Sequence, residues 1–284
     1  MKIFSKKRIY IIGMSFLSLI ALLVVYLLAT DRCADAPIRT MQDQILSSQQ
    51  VDLTGLRELQ VSGGPIVHFS ALSDQLKNMK KRIIIVDGLD ENHGYFNGTP
   101  TTFYGYHREH LGIRHLIRRL LFTGTYKKLE DKVVSEKETT EKLGFTYKEI
   151  PISSRTDTPP QVVDEFINFV ETLPETAWVH FHCRHGKGRT SVMLVMFDII
   201  KNAPQVALSD IVTRQHLLGS INLFDTSIWN NGTYDKVKLE RRKKFIEDFY
   251  AFICQRKTGG IQKWSIWRQN LTPKVSATRL HSKP

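Results

Sequence analysis

The stretch VHFHCRHGKGRT, Val179 to Thr190, decides the fold of this chain. The apolar run just before and inside it, Trp178 to Phe181, reads as a buried strand. Cys183 follows, then five residues containing Gly186 and Gly188, then Arg189. Thr190 comes next, and an apolar helical run, Ser191 to Asn202, leads away and is ended by Pro204. A thiol at a strand end, over a glycine-bearing loop that opens a helix, is the layout for attacking a phosphate.

In this C-x5-R loop, successive backbone N–H groups can curl around one phosphoryl group. Gly186 and Gly188 permit the tight turns and the close backbone approach. The helix that follows aims its positive end at the same spot, and both effects favour Cys183 as the thiolate. Arg189 can grip two phosphoryl oxygens with its planar fork, which lysine could not copy. Thr190 or Ser191 can hydrogen-bond the sulfur. The reaction implied is attack of sulfur on phosphorus, a phosphocysteine intermediate and hydrolysis by water, with no metal or other cofactor required.

Outward from the loop, strands alternate with helices, which predicts an α/β fold with a largely parallel sheet. Upstream, Gln161 to Thr172 reads as an amphipathic helix entered through Pro159-Pro160, and Tyr147 to Ile152 as a strand. Lys137 to Leu143 reads as helical, and Arg82 to Asp87 (RIIIVD) as a buried strand. After it comes a glycine-punctuated loop, Gly88 to Gly105, carrying Asp90, Glu91, His93 and Tyr95. Ser62 to Ser70 (SGGPIVHFS) reads as turn residues followed by an alternating strand, and the next stretch to Lys80 as a helix. His107 to Arg119 reads as a basic helical face, not a metal site. Downstream, Leu208 to Leu218 is helical, Gly219 to Tyr234 a loop and Lys236 to Gln255 a strongly basic helix. A polar tail expected to be disordered, 271–284, follows the WSIW segment.

Ile9 to Ala29 holds 21 residues without a charge, long enough to span a bilayer. Lys2, Lys6, Lys7 and Arg8 precede it, so residues 1–8 are expected in the cytoplasm and the remainder exported, to the periplasmic or cell-surface side. An uncleaved signal anchor holding the protein in the inner membrane is favoured over a signal peptide cut near Ala34-Asp35-Ala36. The net charge is +12, of which those four residues supply a third. The rest suggests a polyanionic partner. No platform of interleaved aromatic and basic residues points to nucleic acid. Three cysteines, Cys33, Cys183 and Cys254, form neither a disulfide framework nor a zinc pattern, and Cys254 reads as a core residue.

The string His182 to Thr190 resembles the signature loop of cysteine-dependent protein-tyrosine-phosphatase-like enzymes. The wider pattern resembles the bacterial tyrosine-phosphatase-like inositol polyphosphatases, or phytases. It is carried by DLTGL, the SGG–HFS stretch, IVDGLDENHGYFNG from Ile85, LPETAWVHFHC, SDIVTRQHLLG and the IEDFY…WSIW region. The resemblance implies a phosphatase domain over 37–270 with a small additional β-rich element, acting on inositol polyphosphates. It makes Cys183 the nucleophile and Arg189 the transition-state clamp, with Arg184, His185, Gly186, Lys187, Gly188 and Thr190 forming the substrate loop. Asp87 is implied as a contact to substrate or to a basic partner, and Arg39, Lys236 and Lys238 as contacts to substrate phosphates. The family's general acid aligns with Ser154. Either Asp157 takes that role after a short realignment, or protonation of the leaving group is impaired.

Arg184, His185 and Lys187 make this loop unusually basic, which suits multiply phosphorylated substrates better than phosphotyrosine. A phosphoinositide or phosphotyrosine phosphatase is the competing enzyme reading. A catalytically weak polyanion-binding module is the competing reading from another class.

Overall fold

The computed structural model describes residues 6–29, 35–66, 72, 74, 81–90, 93–96, 99–101, 116–117, 120, 133–153, 157–227 and 235–271. Its contacts fall into two compact units. One comprises Met1–Ala34 with Glu91–Glu136, the other Asp35–Asp90 with Lys137–Pro284. The expected helix at 107–119, the helix before Lys80, Cys33, the polar tail and Ser154 lie wholly or largely outside the described residues.

The first unit holds helix α1 (Lys6–Ala29) and an antiparallel sheet of β4 (Gly94–Phe96), β5 (Thr99–Thr101) and β6 (Val133–Val134), in the order β5-β4-β6. Two of these strands lie within the segment read from sequence as a loop, Gly88 to Gly105. They are three residues long, too short for an alternation of apolar and polar residues to register. The segment of α1 from Arg8 to Tyr26 is long and apolar enough to cross a membrane, and none of it is buried.

The second unit is built on a mostly parallel sheet. Its strands are β1 (Arg39–Thr40), β2 (Val61–Pro65), β3 (Arg82–Asp87), β7 (Thr146–Glu149) and β8 (Ala177–Cys183). The order is β1-β2-β8-β3-β7, with only β1 antiparallel to its neighbour. Strand β8 is buried along its whole length and lies between two parallel partners, which explains its near-continuous apolar sequence. Its register sets Cys183 beside Pro65 and His182 beside both Gly64 and Asp87, so three strands end together around Cys183. Ligands gather at such carboxyl ends of parallel strands.

Helix α4 (Gly188–Asn202) follows β8 and is buried from Arg189 to Ile200. From Val192 to Ile200 it is apolar on all sides apart from Asp198, because the sheet packs against one face and other helices against the rest. These are α3 (Pro160–Glu171), α5 (Leu208–Leu217) and α6 (Lys236–Lys257). Helix α2 (Glu136–Lys142) precedes β7, and α7 (Trp264–Leu271) packs on α3. Trp264 sits among Phe245, Phe249, Phe252 and Trp267, with ring centroids 5.3 to 5.7 Å away.

Two strand boundaries differ from the sequence reading. Ser62 to Pro65, read as a turn, is itself strand β2. A Cβ on Gly63 would stand 2.7 Å from Thr190 Cγ2 and 2.8 Å from Leu194 Cδ1. Glycine is there because α4 presses onto the sheet, not because the chain turns. The ladder of β7 ends at Glu149 rather than Ile152. Even so, the N–H groups of Ile150 and Ile152 still reach the carbonyls of Asp87 and Gly88, at 2.9 and 3.3 Å.

Below the loop, Trp178 Nε1 donates to Ser62 Oγ at 2.9 Å, and Ser62 Oγ meets His180 Nδ1 at 2.9 Å. Burial first, then His182 and Arg39, hold the His180 pKa at about 3, down from 6.5. The unfolded chain therefore binds the proton more readily than the folded one. This contribution to stability is complete above 6.5 and is lost as the pH falls toward 3. The urea midpoint is expected to drop over that window, by the equivalent of a few kcal/mol, on the order of several pKa units of linkage. His180→Gln should flatten the profile between pH 6.5 and 4.5, where most carboxylates are still ionised; an unchanged slope would remove His180 as its source.

Candidate active site

Cys183, the last residue of β8, is buried. Helix α4 begins at Gly188, three residues earlier than the apolar pattern suggested, so Arg189 and Thr190 belong to its first turn. Polar residues open this helix, and hydrophobic periodicity cannot register them. Lys187 at the N-cap makes no side-chain cap hydrogen bond, which leaves the amides of the first turn for a ligand.

The loop is tied down through its carbonyls. Ile66 N–H donates to Cys183 O at 2.7 Å and to Arg184 O at 3.3 Å, and Ala36 N–H donates to His185 O at 2.9 Å. A trans peptide holds its C=O and the next N–H antiparallel. The amides of Arg184, His185 and Gly186 therefore face away from these partners, as a row of donors. Gly186 has φ +67°, and a Cβ there would lie 2.5 Å from the backbone of Gly64 and Pro65. Both conformation and space exclude a side chain at this position.

Among the described residues the sulfur has one close hydroxyl. Thr190 Oγ1 lies 3.1 Å from Cys183 Sγ and 3.2 Å from Gly64 O. Ser191, the other candidate, is engaged elsewhere: its Oγ accepts from Ile221 N at 3.0 Å and from Arg39 Nη2 at 3.2 Å. Arg189 Nη1 contacts Asp90 Oδ1 at 2.9 Å, an acid that the sequence placed only in a polar loop. His185 Nδ1 lies 2.8 Å from Asp35 Oδ1, while Arg184 and Lys187 are half-buried.

A cavity of about 620 Å³ adjoins the loop at Gly188 and Arg189. Asp157 lines it, so the structure brings that carboxylate into the same space as the arginine. Its walls include Ile152, Val192, Phe245 and Trp264, and Lys238, Arg241, Arg242, Lys244 and Arg268 surround it with positive charge. Of these cations only Lys238 stood out in the sequence. The signal for Arg241, Arg242 and Lys244 was their spacing on one helix, 238 to 241 and 242 and 241 to 244, because residues three and four apart share a face. Arg268 is held by Asp248 at 2.8 Å and sits over the Trp264 ring at 5.5 Å.

Three implied substrate contacts stand elsewhere. Lys236 does not line the cavity; its side chain is 66% exposed and lies 3.8 Å from Glu240. Asp87 is fully buried, accepting from Leu89 N at 2.9 Å and Tyr147 Oη at 2.7 Å, with His182 Nε2 at 3.9 Å. Asp87 therefore meets protein groups and does not line the cavity. Arg39 is 1% exposed and lies behind the loop, bonded to Ser191 and to Ser220 Oγ at 3.0 Å. A short polar segment in sequence thus folds into an edge strand whose arginine points inward.

Comparison with known proteins places this arrangement. The model of the family named PTP-like phytase, described by inositol hexakisphosphate, matches residues 117–201, a span that includes β8, the loop and most of α4. The tandemly repeated protein tyrosine phosphatase like phytase of Mitsuokella multacida superposes with a TM-score of 0.66 at 26% identity. That match covers 83% of this chain and 47% of that one. The chain belongs to the PTP-like phytase family.

A second structure from Mitsuokella multacida, a PTP-like myo-inositol phosphatase, also has a TM-score of 0.66. It is 22% identical over 84% of this chain and 46% of its own, and is bound to myo-inositol-(1,3,4,5)-tetrakisphosphate. Among sequence relatives, the effector protein hopD2 of Pseudomonas syringae pv. tomato is 27% identical over 143 residues, 49% of this chain and 30% of hopD2. This PTP-like phytase chain therefore spans less than half the length of each of these three relatives.

Proposed function

We propose that this protein is a phosphomonoesterase that hydrolyses inositol polyphosphates through a phosphocysteine, held at a membrane by α1. The observation that carries the reading is the cavity of about 620 Å³ shared by Arg189 and Asp157 and surrounded by five further cations. Such a rim is matched to a substrate with several phosphates rather than one. Family membership and the inositol tetrakisphosphate bound by a solved neighbour support the same substrate class.

The steps follow from the residues. The phosphoryl group docks on the amides of the loop and the fork of Arg189. Cys183 Sγ attacks phosphorus, an S–P bond forms and the bond from phosphorus to the inositol oxygen breaks. Asp157 gives its proton to that departing oxygen. Water then attacks phosphorus, losing a proton to the Asp157 carboxylate, and the S–P bond breaks with release of inorganic phosphate and the thiolate. Thr190 Oγ1, 3.1 Å from the sulfur, donates to it as it leaves.

Asp157→Asn is expected to slow phosphate release from inositol hexakisphosphate by about 10² to 10⁴-fold. It should slow an aryl phosphate with a good leaving group much less. Equal, small effects on both substrates would clear Asp157 of the role. The substrate class is tested by kcat/KM for inositol hexakisphosphate, a phosphoinositide and a phosphotyrosyl peptide. A wide margin for the peptide would overturn it.

An export route is the companion proposal. None of α1 from Ile9 to Tyr26 is buried, and Lys6, Lys7 and Arg8 precede it, which supports a signal anchor with the site on the far side of the membrane. Protease accessibility of the second unit in intact cells against lysed cells tests it.

A further inference from the structure

Arg39 combines three properties that a structural arginine rarely shows together. It is 1% exposed, it has no carboxylate within ion-pair distance among the described residues, and its Nη1 has no hydrogen-bond partner there. The buried Arg214, by contrast, is matched by Asp198. A buried guanidinium is destabilising unless an opposite charge and good hydrogen bonds accompany it. Two neutral hydroxyls hold Arg39: Ser220 Oγ takes Nε at 3.0 Å and Ser191 Oγ takes Nη2 at 3.2 Å. Ser191 follows Thr190, whose Oγ1 is 3.1 Å from Cys183 Sγ.

The other charged groups around the loop have partners of their own or are neutral. Arg189 has Asp90 at 2.9 Å, His185 has Asp35 at 2.8 Å and His182 has Asp87 at 3.9 Å. His180 is kept neutral by burial, and Arg184 and Lys187 are half-buried on the loop itself. Burial lowers Arg39 to about 10, still charged at neutral pH, and Cys183 is the group that acts in the opposite direction.

We propose that Arg39 is a positioning residue whose buried guanidinium is the counter-charge of the Cys183 thiolate. It acts from behind the loop and is not a contact to the substrate's outer phosphates. The attraction is reciprocal: the arginine favours the thiolate, and the thiolate offsets the burial of the arginine. Ser191 and Ser220 fix the head in place, so the charge stays put when phosphate arrives. Arg189 remains the group that grips the phosphoryl oxygens. The inference rests on Cys183 being the nucleophile, but not on the identity of the substrate.

Alkylation of Cys183 by iodoacetamide reports the thiolate without any substrate, so its outcome is separate from that of the phytase assay. The full chain is treated over a range of pH and the Cys183 peptide is quantified by mass spectrometry, with thermal melts to check folding. Arg39→Met should alkylate about tenfold more slowly at neutral pH and recover the wild-type rate at alkaline pH. Arg39→Lys keeps the charge and should stay within about threefold of wild type. Ser220→Ala removes a tether but not the charge and should also stay close. A folded Arg39→Met with wild-type alkylation at every pH overturns the proposal, as does a Ser220→Ala that slows as much as Arg39→Met. If Arg39→Met does not fold, Arg39→Lys decides: a rate near wild type supports the counter-charge, and a tenfold loss at neutral pH refutes it.

Discussion

Cys183→Ser is expected to lower phosphate release from inositol hexakisphosphate by at least about 10⁴-fold, on the scale seen when an enzyme loses its nucleophile. A serine hydroxyl is not ionised at neutral pH, and among the described residues no base is hydrogen-bonded at that position to take its proton. Thr190 Oγ1, which lies 3.1 Å from the sulfur, is itself a hydroxyl. Binding should survive, because the loop amides, the positive end of α4 and Arg189 are all untouched. Calorimetry on Cys183→Ser should therefore give a dissociation constant for inositol hexakisphosphate within about threefold of wild type, a difference under 1 kcal/mol. The pair of measurements separates the two classes of function. A wild type without turnover, binding as tightly as the variant, would make the protein a polyanion-binding module. A variant that retains most of its turnover would place the nucleophile elsewhere.

The largest effect on stability is expected behind the loop, on the far half of α4. Asp198 and Arg214 are both fully buried and form a two-pronged ion pair. Arg214 Nε donates to Asp198 Oδ2 at 2.9 Å, and Nη2 donates to Oδ1. Arg214 Nη1 donates to the carbonyls of Asp52 and Thr54 at 3.0 and 2.9 Å. Gln215 Nε2 and Asn202 Nδ2 donate to the carboxylate at 3.0 and 2.8 Å. The network joins α4, α5 and the chain before β2. Removing one partner leaves the other charge buried and unmatched, so Asp198→Ala should lose about 3 to 5 kcal/mol in urea unfolding. That is a large part of the usual stability of a domain. Replacing both charges together, Asp198→Leu with Arg214→Met, should lose clearly less than the sum of the single changes. A loss below about 1 kcal/mol in Asp198→Ala would show that the pair contributes little.

Much of this site was legible along the chain because its parts are contiguous. A strand, a thiol, two glycines and an arginine occupy twelve consecutive residues, and local backbone geometry joins them directly. The polar opening of α4 was less legible, since Gly188, Arg189 and Thr190 carry no apolar stripe. Gly63 and Gly64 read as a turn because glycine is usually a turn residue, whereas here they make room for α4 and for Ile38. The basic helix was recognisable by composition, but which of its cations face the cavity depends on rotation about the helix axis. Lys238 lines the cavity and Lys236, two residues earlier, does not.

By itself, the sequence determined the strand, loop and helix around Cys183, the α/β architecture and the apolar N-terminal helix. Each follows from residues close together in the chain, where spacing and hydrophobic pattern act directly. Tertiary structure alone decided the roles that depend on residues far apart. It placed Asp90 on Arg189 across 99 positions and Asp157 in the cavity beside Arg189. It buried Asp87 against Leu89 and Tyr147 and bonded Arg39 to Ser191 at a separation of 152. Charge and burial at such sites depend on which strand ends meet, and that is a property of sheet order, not of spacing along the chain.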